Sequence, residues 1–342
     1  MQSKLTKLIF SAAATLLFSI TASGQSELPR VHILATGGTI ASTDSGLLNI
    51  DELASAVPGL DELAVLSAED FISIGSSRIT PEIQFQLAQR INELFVDDEL
   101  AGVVVTHGTD SLEETAFFID LLVADSRPVV FTAAQRSPRR TDTDGPRNLT
   151  NAVLIAGSNL SRDRGVSITL NDDIHSARYA RKTHSTAVEA FQSVGAGRMG
   201  YVDEGRLYYL WQPDSQLQLS PSTIEARVDL IRLVAGSDGH MVRASIAAGA
   251  KGIILEVFGR GNVPPPVTEA LNEAAAAGMA IVFTTRTGGG RVTLYSEFDE
   301  LPIINGEDID GLKARMLLIA ALGQTSDAEV MQSYFTTLSG YQ

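Results

Sequence analysis

The sequence predicts an α/β protein made of two three-layer α/β/α domains, a larger N-terminal one on a mostly parallel sheet and a smaller C-terminal one. Three observations carry this. Short β-branched apolar runs without clean alternation recur along the chain, as expected for strands covered on both faces. Helical patterns lie between them, which implies βαβ units. The alternation stops after residue 171 and resumes near 228, and 342 residues suit two domains of roughly 150 each.

Residues 1–24 stand apart from the fold. Lys4 and Lys7 precede an apolar run over 8–20, and Ala22-Ser23-Gly24 supplies small residues before Gln25. That is the layout of a secretory signal cleaved after Gly24, and about 13 apolar residues are too few to span a bilayer comfortably. The expected product is periplasmic or secreted, with no membrane attachment after cleavage. The next unit, 25–211, contains expected strands at 31–36, 102–106, 128–132 and 166–171. Its helices are expected at 81–95, with Thr80 as N-cap and Pro81 in the first turn, at 111–123 and at 148–156. Residues 199–209 read as a hairpin around Glu204-Gly205. The polar stretch 212–227 reads as a linker. In 228–342, strands are expected at 229–234, 252–258 and 279–285, and helices near 240–248, 266–277, 308–322 and 326–338.

Composition narrows the function. At 44% hydrophobic the chain is no disordered segment, and with no Cys it holds neither disulfides nor thiolate chemistry. Its formal charge is −15, and losing Lys4 and Lys7 with the leader takes it to −17. Such a surface repels phosphate backbones, so nucleic acid is disfavoured and a small-molecule partner favoured. No P-loop, GxSxG or HExxH pattern is present.

Three hydroxyl-bearing turns fall at or near strand ends, where open α/β sheets bind ligands. They are Thr36-Gly37-Gly38-Thr39-Ile40-Ala41, Ile74-Gly75-Ser76-Ser77 and Thr106-His107-Gly108-Thr109-Asp110. Glycines let the backbone pass close to a ligand and leave Thr39 accessible. Thr109 needs a proton acceptor to act as a nucleophile, and a buried lysine near Asp110 could serve. Asp110-Ser111-Leu112-Glu113 also fits a capping box, with Glu113 reaching back to the helix start. A lone His107 reads as a packed residue, and Lys182 taken by itself as a solvated cation.

TGGTIA (36–41) and THGTD (106–110) resemble the bacterial type II L-asparaginases. The likeness continues through PVVFTAAQR (128–136), DGPRNLTNAV (144–153), ARKTHST (180–186), GRGN (259–262) and KARMLLIAAL (313–322), in order over nearly the whole mature chain. The resemblance implies hydrolysis of asparagine to aspartate and ammonia, with glutaminase side activity, without metal or cofactor, by a homodimer or homotetramer. By motif position it implies Thr39 as nucleophile and Thr109, Asp110 and Lys182 as a second catalytic centre. Gly38, Ser76, Ser77, Gly108, Thr109 and Asp110 match substrate-binding positions, and the backbone at Ala134 matches part of an oxyanion pocket. Asn262 and, across a gapped alignment, Glu297 match residues lent to a neighbouring subunit's site. An aspartate- or asparagine-binding protein without turnover is the alternative on the same scaffold, and a transfer-RNA amidotransferase is opposed by the leader and the charge.

The chain departs from that pattern twice. Family members carry a lid of some 20 or more residues after the first motif, with a Tyr beside the first Thr. Here 42–50 runs straight on toward a helix expected from Asp51, and no Tyr occurs between Thr39 and Tyr179. Ser77 stands where a Gln is common, which leaves the preference between asparagine and glutamine open.

Overall fold

A computed structural model describes residues 28–38, 42–43, 46–47, 52, 57–213 and 217–339. The leader at 1–24 and Thr39 lie outside the described residues. Two main sheets divide the chain. The first takes β1 (Arg30–Ala35), β4 (Val65–Asp70), β5 (Leu100–Thr106), β6 (Val129–Thr132), β7 (Val166–Leu170), β8 (Asp173–Ser176), β11 (Gly200–Asp203) and β12 (Arg206–Tyr209). Its spatial order is β12-β11-β8-β7-β6-β5-β1-β4. The five strands from β7 to β4 are parallel, and β8, β11 and β12 extend the sheet in antiparallel pairs. The second sheet, β13 (Val228–Arg232), β14 (Gly252–Val257), β15 (Ala280–Thr285) and β16 (Ile303–Asn305), is parallel throughout.

Helices cover these sheets: α1 (Pro81–Leu94), α2 (Leu112–Leu122), α3 (Gly145–Ala156), α4 (His240–Ala248), α5 (Pro265–Ala276), α6 (Gly311–Leu322) and α7 (Ala328–Leu338). The apolar runs read as strands are buried on both faces: every residue of β6, β7 and β14 is buried. Thr80 caps α1, accepting from the Ile83 N–H. Helix α6 is apolar nearly all round, as a helix must be when it is buried on every side. Its Met316, Leu317, Leu318 and Ile319 are wholly buried and join Phe117 and Ile119 of α2, together with Ile254 and Val282 of the second sheet, in one apolar cluster. The two sheets therefore share a core.

Among the described residues, seven strands escape the sequence reading. β4 (VLSAED) and β8 (DIHS) are too polar to stand out, and β16 has three residues. Away from the main sheets, β9 (Ala180–Lys182) pairs antiparallel with β10 (Phe191–Ser193). In a further pair, β2 (Ser42–Thr43) lies antiparallel to β3 (Gly46–Leu47).

Candidate active site

Parallel pairing brings the three turns together. In register, Ala35 of β1 faces Asp70 of β4 on one side and Thr106 of β5 on the other. The chain therefore leaves three neighbouring strands at the same level. Thr36 Oγ1 donates to the Thr106 carbonyl at 3.0 Å, and the Ile74 N–H reaches the Thr36 carbonyl at 3.3 Å. Gly38 adopts φ +91°, a conformation that favours glycine. A Cβ on Gly108 would stand 2.5 Å from Ser76 Oγ, so this contact also requires glycine.

The result is a cleft of ≈ 490 Å³ lined by Gly38, Ser76, Ser77, Gly108, Thr109 and Asp110, together with Ser73, Ile74, Gly75 and Arg78. Six predicted site residues thus share one wall. Ser76 is buried and its Oγ accepts the Asp110 N–H at 3.2 Å. Ser111 Oγ donates to the Ser76 carbonyl at 2.7 Å and fixes the turn from behind. Arg78 was missed in the sequence reading. It ends the single helical turn Ser76–Arg78, and the Gly-Ser-Ser run before it was the available signal.

Lys182 enters from β9, far away in sequence. Its Nζ donates to Thr109 Oγ1 and to Asp110 Oδ1, both at 2.8 Å. Thr109 is buried, the lysine side chain is 16% exposed and the Asp110 side chain 65%. The threonine–lysine contact is therefore shielded while the carboxylate faces solvent and any ligand.

The capping box does not form. Helix α2 begins after Ser111 with no side-chain cap, because both acids have other partners. Asp110 pairs with Lys182, and Glu113 Oε2 accepts the Lys182 backbone N–H at 3.3 Å. Burial pushes the Glu113 carboxyl up against the pull of Lys313. His107 is wholly buried, with Nδ1 2.7 Å from the Gly108 carbonyl. Burial lowers its pKa to about 4, so it is a neutral packed ring near pH 7.

Ala134 lies two residues beyond Thr132, which pairs with Thr106, and Gly108 lies two beyond Thr106. Its segment is pinned from the DGPRN motif. Asp144 accepts the N–H groups of Gln135 and Arg136 at 3.0 and 2.9 Å, and Asn148 Nδ2 donates to the Ala133 carbonyl at 2.9 Å. Ala134 is buried and is not among the cleft's lining residues. Asn262 and Glu297 do not line it either. Both are exposed on the C-terminal domain, Asn262 in a tight turn where it exchanges backbone hydrogen bonds with Phe258.

The family model "Asparaginase, N-terminal" matches residues 30–215, and "Glutaminase/Asparaginase C-terminal domain" matches 227–335. The chain belongs to the asparaginase family. Among its relatives in that family, "L-asparaginase 2" of Bacillus subtilis is 36% identical over 93% of this chain and 88% of that protein. "Probable L-asparaginase periplasmic" of Haemophilus influenzae is 35% identical over 97% and 99%. A crystal structure of "Probable Cytoplasmic L-asparaginase" from Campylobacter jejuni superposes with a TM-score of 0.85 at 35% identity, covering 90% of this chain and 99% of that one. This asparaginase-family chain thus carries both family domains, and its cleft lies in the first of them.

Proposed function

We propose that the protein hydrolyses the side-chain amide of L-asparagine to L-aspartate and ammonia, with glutamine as a slower substrate. One observation carries this reading: Lys182 Nζ bridges a buried threonine hydroxyl and an exposed carboxylate on the cleft wall. A pure binding site has no need of a shielded hydroxyl–amine contact, whereas an amide hydrolase needs one for proton transfer. Asp110 would pair with the substrate's α-ammonium group, and Ser76, with Arg78 nearby, with its α-carboxylate.

In this reading Thr39 Oγ attacks the amide carbon, and backbone N–H groups near Ala134 stabilise the oxyanion. The Thr39 proton passes through Thr109 and Lys182 to the leaving nitrogen, the C–N bond breaks and ammonia departs, leaving an acyl-threonine ester. Water then adds to the ester carbon, giving its proton to the same relay. Collapse breaks the C–O bond, releases aspartate and returns the proton to Thr39.

The lid is truncated in this reading. Residues 42–50 would stand in place of a long loop with its Tyr, so the threonine–lysine centre would carry more of the activation. The functional units are a leader at 1–24, a catalytic domain at 25–211, a linker at 212–227 and a C-terminal domain at 228–342. The leader directs the protein to the periplasm or the medium, in keeping with the name of the Haemophilus relative. The exposed Asn262 and Glu297 suit a homodimer or homotetramer in which each lends polar groups to its neighbour's cleft.

Ammonia release from asparagine and glutamine, measured for the wild type and for Thr109→Ala, tests the proposal. Turnover by the wild type that the variant loses is expected. A silent wild type, or a variant as active as its parent, would overturn it.

A further inference from the structure

One buried charge cluster holds every residue of β9, the strand that delivers Lys182. Lys313 of α6 is wholly buried. Its Nζ donates to the Ala180 carbonyl at 2.7 Å and to Asp310 Oδ2 at 3.1 Å, and lies 3.8 Å from Glu113 Oε2. Arg181 Nε donates to the same Asp310 oxygen at 3.1 Å. The Lys182 N–H goes to Glu113, three residues beyond Asp110. Burial alone would raise the Asp310 carboxyl, but Lys313 and Arg181 hold it at about 2.

Such a cluster is a poor device for stability. Apolar residues of equal volume in place of a buried ion pair are often neutral or stabilising. What it does here is geometric. Glu113 ties Lys182 to the helix that starts behind Thr109 and Asp110, and Lys313 locks the other end of β9 to the C-terminal domain. We infer that Glu113 and Lys313 are positioning residues for Lys182, so that the C-terminal domain sets the lysine–threonine contact without touching substrate. This rests on the asparaginase reading for its kinetic consequence, though not for its geometry.

The test is the paired replacement Glu113→Gln with Lys313→Met, which keeps shape, removes both charges together and leaves Asp310 paired with Arg181. With asparagine as substrate, kcat should fall by about 10- to 100-fold, as misplacement by an ångström or less can cause, with KM nearly unchanged. A second readout needs no activity. The mature chain has three lysines, 182, 251 and 313, so mass spectrometry resolves acetylation of Lys182 against exposed Lys251. The Lys182-to-Lys251 labelling ratio should rise several-fold in the variant. Unchanged kcat and labelling overturn the inference, as does a loss confined to melting temperature and KM. Glu113→Gln alone is read by the same outcomes if the pair fails to fold. A wild type without turnover whose Lys182 labelling still responds would sink the asparaginase reading and leave the positioning role standing.

Discussion

Gly38 and Gly108 pack backbone to backbone: a methyl carbon on Gly38 would stand 2.5 Å from the Gly108 Cα and 2.8 Å from the His107 carbonyl carbon. The first and third turns thus touch through the atoms that a side chain would displace.

Gly38→Ala should accordingly damage both stability and activity. The positive φ and the clash together should cost about 1–3 kcal/mol, and separation of the turns should lower kcat/KM by about 100-fold. Urea unfolding and steady-state kinetics check this. A variant with parental kinetics would show that the contact does not set the cleft.

Thr109 and Lys182 should behave as one unit. Thr109→Ala and Lys182→Met are each expected to lower kcat by about 100- to 10,000-fold, the range of general acid–base catalysis. The double variant should fall no further than the worse single one. Losses that multiplied would mean two independent functions.

If Ser77 sits beside the substrate side chain, as the proposed function implies, it bears on the preference between asparagine and glutamine. A single methylene is worth about 10- to 200-fold in discrimination. The ratio of kcat/KM for asparagine over glutamine should lie in that range, and Ser77→Gln should change it while leaving the fold's melting temperature alone. An absolute block on glutamine would point to a polar discriminator instead.

Two buried, neutral histidines each contribute an acid-sensitive part of the stability. Burial holds His107 and His175 at about 4, below the ordinary imidazole value of 6.5. Between those values the unfolded chain binds protons that the native state refuses, so the contribution of these two groups to stability falls as pH drops. It is complete above about 6.5, and each histidine removes on the order of 3 kcal/mol by pH 4. His175 Nδ1 lies 2.9 Å from Ser193 Oγ, a contact that a glutamine can keep. His175→Gln should therefore lose less stability than the wild type between pH 7.5 and 5, as read from urea midpoints. Equal losses would acquit His175.

Much of the fold was legible because buried parallel strands need apolar residues on both faces, and VVVT, PVVFT and VSITL announce themselves. β4 stayed hidden for the converse reason. It is the sheet's edge strand, only partly buried, and its VLSAED sequence needs no apolar face. The three hydroxyl turns were visible as Gly-Thr and Gly-Ser runs, but their convergence depended on pairing that no single turn encodes. Lys182 was legible only through its motif, since Ala-Arg-Lys has no strand character and β9 is held by its pairing with β10 and by contacts from Glu113, Asp310 and Lys313. The expected cap at Asp110 failed for a related reason: an amine and a backbone N–H brought from distant sequence outcompete a local bond.

Helix α6 lies in the apolar cluster that both sheets share, and it carries the amine that grips β9. A chain ending before residue 311 would bare the flank of α2 and release that strand in the same stroke. The half that bears the cleft is therefore no portable module: evolution or an engineer could trim its loops, but could not cut it loose from the tail that completes it.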